Sequence, residues 1–219
     1  MQHSETPIAI ALLCLAAVTG YVDALAFMHA GGFFVAFASG NATRFAAGIG
    51  TGVGREAMIA GGLILSLMSG TILASVLARA TGARARGAVM AAASMMLLAA
   101  AAIAWKVSGM SALLLLATAM GMVHLLFHRE GAMPLTATMV RMAEDLAGAL
   151  MGDPDRWGWA RQLALVAVFA AGAVMGTSAE AMLGIHAFWF AGLAAATLAL
   201  WFALLDRRAT AKGSPVVRA

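Results

Sequence analysis

Ser39-Gly40-Asn41-Ala42-Thr43-Arg44-Phe45 and Thr136-Ala137-Thr138-Met139-Val140-Arg141-Met142 are polar interruptions in a chain of long apolar runs, and they lie 97 residues apart. Both read small hydroxyl, small, polar, two variable positions, Arg, apolar. Ahead of the first stands Gly20-Tyr21-Val22-Asp23, which aligns with Gly121-Met122-Val123-His124 ahead of the second at an offset of 101. After them, long apolar runs start near residues 58 and 161. Self-similarity at a nearly fixed spacing marks an internal repeat whose units run span, interruption, span, span.

Of the 219 residues, 63% are hydrophobic and 11% charged. The mean hydropathy is +0.90. Soluble domains keep roughly 25% charged residues, so lipid is the expected solvent. At roughly 20 residues per span the chain has no room for a separate soluble domain, and a single membrane domain over 1–219 is expected. The formal net charge of +4 does not point to nucleic acid, because the basic residues are scattered between apolar runs and read as topology signals. Cys14 stands alone, which excludes a disulfide within the chain and a Cys-based metal site. Met1 to Pro7 holds no Lys or Arg, so the basic start of a secretory signal is missing and the first run is expected to be a retained helix.

The apolar runs cover about 7–28, 33–50, 58–79, 87–105, 110–127, 133–151, 161–183 and 185–205. The second and sixth carry the interruptions and do not read as lipid-facing helices; Pro134, Glu144 and Asp145 add to the polar content of the sixth. Arg79, Arg84 and Arg86, and the tail with Arg207, Arg208, Lys212 and Arg218, belong on the cytoplasmic side by the positive-inside rule. Working outward from these two points, Arg156 and Arg161 also fall inside, so both ends of the sixth run are cytoplasmic. A run that leaves and returns on one side is re-entrant, and irregular backbone at membrane depth needs protein or water around it. The second run enters likewise from the outside. Arg55 and Lys106 then lie outside, and Arg44 and Arg141 within the re-entrant segments. The expected fold is an all-α integral membrane protein with six transmembrane helices plus two re-entrant or broken helical segments. Three spans is an odd number, so two such units in sequence face opposite ways: an inverted-topology 3+3 repeat, with repeat one over about 7–106, repeat two over about 110–205 and 206–219 as a cytoplasmic tail. Both termini are cytoplasmic on this reading. Trp105, Trp157, Trp159, Trp189 and Trp201 fall near segment ends, where indoles anchor at the headgroups.

Ser39, Gly40 and Asn41 combine a backbone able to approach a ligand with residues that cap a helix start, whose free amides favour an anion. One reading is half of a substrate site, with Thr136 and Thr138 as the other half. The other is a capped helix break whose polar groups satisfy one another. Asn41-Ala42-Thr43 fits a glycosylation sequon, which membrane depth argues against. Arg44 and Arg141 are costly at membrane depth unless they pair or line water. They attract an anionic substrate, or Arg44 pairs with Asp23 while Arg141 pairs with Glu144 or Asp145 or snorkels to the surface. Asp23 and His124 occupy matching positions, and a buried carboxylate and an imidazole are readily tuned to exchange protons; the reading is a coupling pair, the alternative a structural ion pair or a helix-end hydrogen bond. His124 and His128 share a helix face but lack a third metal ligand. Glu180, near the outer end of its run, is expected to reach water. Gly172 and Gly176, and Gly70 and Ala74 in the equivalent run, form small-xxx-small faces for close helix packing. The sixteen Met read as gap filling. No nucleophile elbow, phosphate loop or metalloprotease motif occurs, so no enzyme and no cofactor is expected.

Gly20-Tyr21-Val22-Asp23-Ala24 and the stretch from Gly31 to Phe45 resemble the YoaK-type bacterial membrane protein family, a domain of unknown function with a Gly-x-x-Asp-Ala motif and a Met-Ser/Thr-Gly-Asn box. Phe127-His128-Arg129-Glu130-Gly131 and the Thr136 box are similar to that family's second-half stretches. The chain departs from the pattern at Ala38 for Met, Ala137 for Gly and His124 for Asn, and in a shortened stretch before Thr136. The resemblance implies about six spans.

The function these features suggest is secondary transport of a small polar or anionic solute across the bacterial inner membrane. Substrate would sit at the midplane between the two breaks, against Ser39, Gly40, Asn41, Arg44, Thr136 and Thr138, with Asp23 and His124 as coupling groups. Its partners would be that solute and membrane lipid, with self-association open. The alternative is a non-transporting membrane binding or scaffold protein in which these groups hold helices together.

Overall fold

A computed structural model describes residues 6–104, 109–132 and 135–211, and the regular structure among them is helical. The sequence-level expectations for Trp105, Lys106, Pro134, Lys212 and Arg218 lie outside the described residues. The helices are α1 (Thr6–His29), α2 (Ala38–Gly50), α3 (Gly54–Thr81), α4 (Ala85–Ala104), α5 (Gly109–Arg129), α6 (Leu135–Met151), α7 (Gly158–Leu183) and α8 (Ala187–Ala211). α1, α5 and the continuous helical stretches 54–104 and 158–211 are long and apolar enough to cross a membrane.

The two longer stretches have 51 and 54 residues. At about 1.5 Å per residue either would overrun a hydrocarbon core of roughly 30 Å more than twice if straight. Each is broken by a 3-10 turn, Gly82–Arg84 in one and Gly184–His186 in the other. Both turns begin on a glycine at φ +54°, a conformation a side chain resists. Beyond each turn the chain folds back, α4 packing on α3 and α8 on α7.

The same local devices recur elsewhere. α1 ends with Gly31 at φ +66° and Gly32 N–H on the Phe27 carbonyl at 2.8 Å. α5 ends with Gly131 at φ +74° and Ala132 N–H on the Phe127 carbonyl at 2.9 Å. Both are glycine stops in which the third residue past the helix caps a carbonyl of its last turn. The helix crossings recur as well. α1 meets α7 where a Cβ on Gly20 would strike the Phe169 carbonyl and one on Gly172 the Ala17 carbonyl. α5 meets α3 where a Cβ on Gly121 would strike the Leu67 carbonyl and one on Gly70 the Thr118 carbonyl. Lipid supplies no hydrophobic drive between helices, so close backbone approach through small residues is what holds such crossings. The Thr71 hydroxyl, donating to the Gly121 carbonyl at 3.0 Å, adds a bond across the second. α4 against α8 completes the core, around buried Leu97, Phe188 and Phe202.

Contacts between helix termini define two ends of the bundle. At one, Arg86 Nε donates to Glu130 at 2.7 Å, and Asp206 accepts the Gly87 N–H at 2.9 Å with Arg86 at 3.9 Å. These join the start of α4, the residue after α5 and the end of α8, and a cavity beside Glu130 adds the starts of α1, α6 and α7. At the other, His29 faces Glu180 at 3.6 Å and the Phe188 ring edge-on at 5.6 Å, and the Tyr21 hydroxyl donates to the Ala187 carbonyl at 2.9 Å. Glu180, expected to reach water, is thus held by His29 at the junction of α1, α7 and α8.

α2 and α6, with 13 and 17 residues, are shorter than a span and mostly exposed. α2 packs on α3 and α6 on α7; they do not touch each other. The run expected from residue 33 becomes helical only at Ala38, because the loop before it is pinned in a non-helical form by side chains described next.

Candidate functional site

The first interruption is a closed knot. Asp23, on the last turns of α1 and 6% exposed, accepts the N–H groups of Val35 and Ala36 on one carboxylate oxygen, at 2.8 and 2.9 Å. Asn41, 2% exposed on the first turn of α2, grips Phe34 with both ends of its amide: Oδ1 accepts the Phe34 N–H at 3.1 Å and Nδ2 donates to the Phe34 carbonyl. A loop without regular structure leaves its amides unpaired, and buried unpaired amides cost stability, so these two side chains make the loop possible. Gly40 has no Cβ because the Phe34 and Phe37 rings occupy that space, at 2.9 and 2.7 Å from where one would stand. Ser39 is exposed and takes the Thr43 hydroxyl on its carbonyl at 3.2 Å.

Arg44 closes the knot from α2. Its guanidinium lies over the Phe33 ring at 4.0 Å from the centroid and donates to the Gly32 carbonyl at 2.5 Å. Its ion partner is Glu56 at 3.8 Å, not Asp23 as spacing in the sequence had allowed. The reason is the loop: Asp23 is already engaged by backbone N–H groups, and Glu56 at the start of α3 faces α2.

The second interruption is open. His124, matching Asp23, donates through Nδ1 to the Met120 carbonyl of its own helix at 2.7 Å, the carbonyl fixing that nitrogen as the protonated one. Where α1 and α5 touch, Asp23 and His124 are near enough to interact electrostatically. Thr136 is exposed on the first turn of α6, and Thr138, matching Asn41, is 5% exposed. Arg141, matching Arg44, forms no ion pair with Glu144 or Asp145 among the described residues; Asp145 instead takes the Gln162 amide at 2.9 Å.

Thr138 and Arg141 line a cavity of about 380 Å³. Its polar wall is completed by Arg161 and Gln162 from α7 and by Glu130 and Gly131 after α5; its apolar wall is Leu12 and Leu13 of α1 with Ala164 and Leu165. The structure therefore brings Ser39, Gly40, Asn41, Arg44 and Asp23 together at one end, Thr136 and Thr138 at the other, and does not bring the two sets into contact. Arg161 and Gln162 were missed as site residues. Arg161 had been used as a sidedness marker, and the available signal for Gln162 was an amide two positions into an otherwise apolar run, in a chain with one other glutamine.

No curated protein and no solved structure matches the chain. A family model described as a protein of unknown function (DUF1275) matches residues 11–201, most of the chain. The chain therefore belongs to that family, the YoaK-type family that its two interruptions resemble.

Proposed function

We propose that the protein is a secondary transporter of a small polar or anionic solute, built from two inverted repeats of three spans and one re-entrant element. The observation that carries this reading is the double occurrence of one construction: the Gly20–Gly172 and Gly121–Gly70 crossings, the Gly82 and Gly184 turns and the Gly31 and Gly131 helix stops, each pair about one hundred residues apart. If stretches 54–104 and 158–211 each cross twice, the helices alternate in direction, α2 returns at the His29 end and α6 at the Glu130 end. Interrupted elements entering from opposite faces are a recurring build for alternating access. The end carrying Arg79, Arg84, Arg86, Arg207 and Arg208 is the cytoplasmic one of a bacterial inner membrane by the positive-inside rule. Asp23 and His124, where α1 of one repeat meets α5 of the other, would sense movement between the halves.

A second reading, a binding or scaffold protein that moves nothing, is favoured by one observation: one carboxylate oxygen of Asp23 and both ends of the Asn41 amide are engaged with loop backbone. Uptake of labelled solutes into proteoliposomes decides between them. Transport abolished by Asp23→Asn and Asn41→Ala supports the first reading, and no uptake of any tested metabolite by the native protein supports the second. Labelling of single cysteines at positions 55 and 156, in a Cys14→Ser background, tests the topology. Opposite sides are required, and labelling from one side removes the inverted repeat.

A further inference from the structure

We infer that the cavity between α1, α6 and α7 is a binding site for a small organic monoanion with an aliphatic tail, the chemistry of a short branched-chain carboxylate. Two features of the wall specify these two parts. Arg141 and Arg161 both line it, and neither forms an ion pair among the described residues. Glu130, the wall's carboxylate, is bound to Arg86 at 2.7 Å, so the guanidinium charge is left for an anion. Guanidinium and carboxylate are matched in geometry as well as in sign.

Beside the arginines, the Gln162 amide nitrogen Nε2 donates to Asp145 at 2.9 Å, because an ionised carboxylate only accepts. The tail is specified by Leu12, Leu13 and Leu165 on the opposite wall. Mostly apolar walls with a few convergent polar groups are the usual form of small-molecule sites, and about 380 Å³ is within their size range.

The inference deepens the transport reading and rests on it for the purpose of binding, but binding itself is measured separately. The probe is 2-hydroxy-4-methylpentanoate, titrated calorimetrically into purified protein in detergent, with 4-methylpentane-1,2-diol as the matched neutral compound. The hydroxy acid is expected to bind and the diol not. Arg141→Gln and Arg161→Gln should each weaken binding roughly tenfold or more. Arg55→Gln, at the other end of the bundle, should leave it unchanged. Two arginines on different helices keep the test available if one variant fails to fold. No binding of the hydroxy acid, or binding indifferent to both arginine changes, overturns the inference. So does protection only by phosphatidylglycerol in nanodiscs, which would make the cavity a lipid headgroup site. Binding without uptake would overturn transport and leave the site; uptake insensitive to both arginines would overturn the site and leave transport.

Discussion

In the first half Asn41 returns both ends of its amide to the Phe34 backbone; in the second the matching Thr138 stands in the wall of a cavity. Arg44 lies folded over Phe33 and onto a loop carbonyl, while Arg141 has no ion partner among the described residues. Asp23 holds two loop amides, whereas His124 bonds back to its own helix. The difference begins in chain length. From His29 to Ala38 the connection is long enough to fold into a ring-lined knot; from Arg129 to Leu135 it is shorter, and no equivalent of Phe33, Phe34 and Phe37 is available to fill the space. One end is thus packed shut by its own loop, and the other carries a cavity.

The comparison breaks first if the framework itself is not duplicated. Gly172→Val and Gly70→Val each put a branched side chain against a facing backbone carbonyl that cannot move aside. Each is expected to destabilise by about 3 kcal/mol or more, and by similar amounts. Thermal unfolding and the yield of monodisperse protein in detergent check this. A large loss in only one half would mean that the two crossings are not equivalent.

Asp23→Ala leaves the Val35 and Ala36 amides buried without an acceptor, at an expected cost of about 3 to 5 kcal/mol. Asp23→Asn keeps an oxygen in the same place and should cost about 1 kcal/mol. His124→Ala, whose bond is to a helix carbonyl that already has a partner, should cost about 1 kcal/mol. Equal losses at positions 23 and 124 would dissolve the contrast between sealed and open ends. Next in size, Asn41→Ala should cost about 2 to 3 kcal/mol and Thr138→Ala about 1 kcal/mol, since the first removes two hydrogen bonds from an irregular loop.

These residues also mark what could be read from the chain. The apolar runs, the two short polar ones and the small-xxx-small faces were legible because each depends on composition and spacing within one segment. The importance of Ser39 to Arg44 and of Asp23 was legible as polarity in the wrong solvent. Their roles were not, because Asp23 meets Val35 and Ala36 through backbone amides, which carry no side-chain signature. The same holds for Arg44: Asp23 was the partner its spacing suggested, and the loop's path gives it Glu56 instead. The cavity was the least legible feature, since its wall draws on α1, α6, α7 and the end of α5 together.

The smallest expected effect separates two accounts of how Arg44 seals its end. Glu56 lies at 3.8 Å with its side chain 47% exposed, so the pair is screened by solvent and Glu56→Gln should change stability by less than about 0.5 kcal/mol. Arg44→Ala removes in addition the bond to the Gly32 carbonyl and the stacking over Phe33, and should cost about 1 to 2 kcal/mol. Arg141→Ala should leave stability nearly unchanged, because its guanidinium closes nothing. Unfolding at low and high salt completes the test: a loop held by a carbonyl and a ring keeps its stability as salt rises, whereas one held by the ion pair loses it. If Glu56→Gln matched Arg44→Ala and the difference vanished in salt, the sealed end would depend on a surface charge pair, and the distinction between Arg44 and Arg141 would reduce to whether an acidic neighbour happens to be in reach.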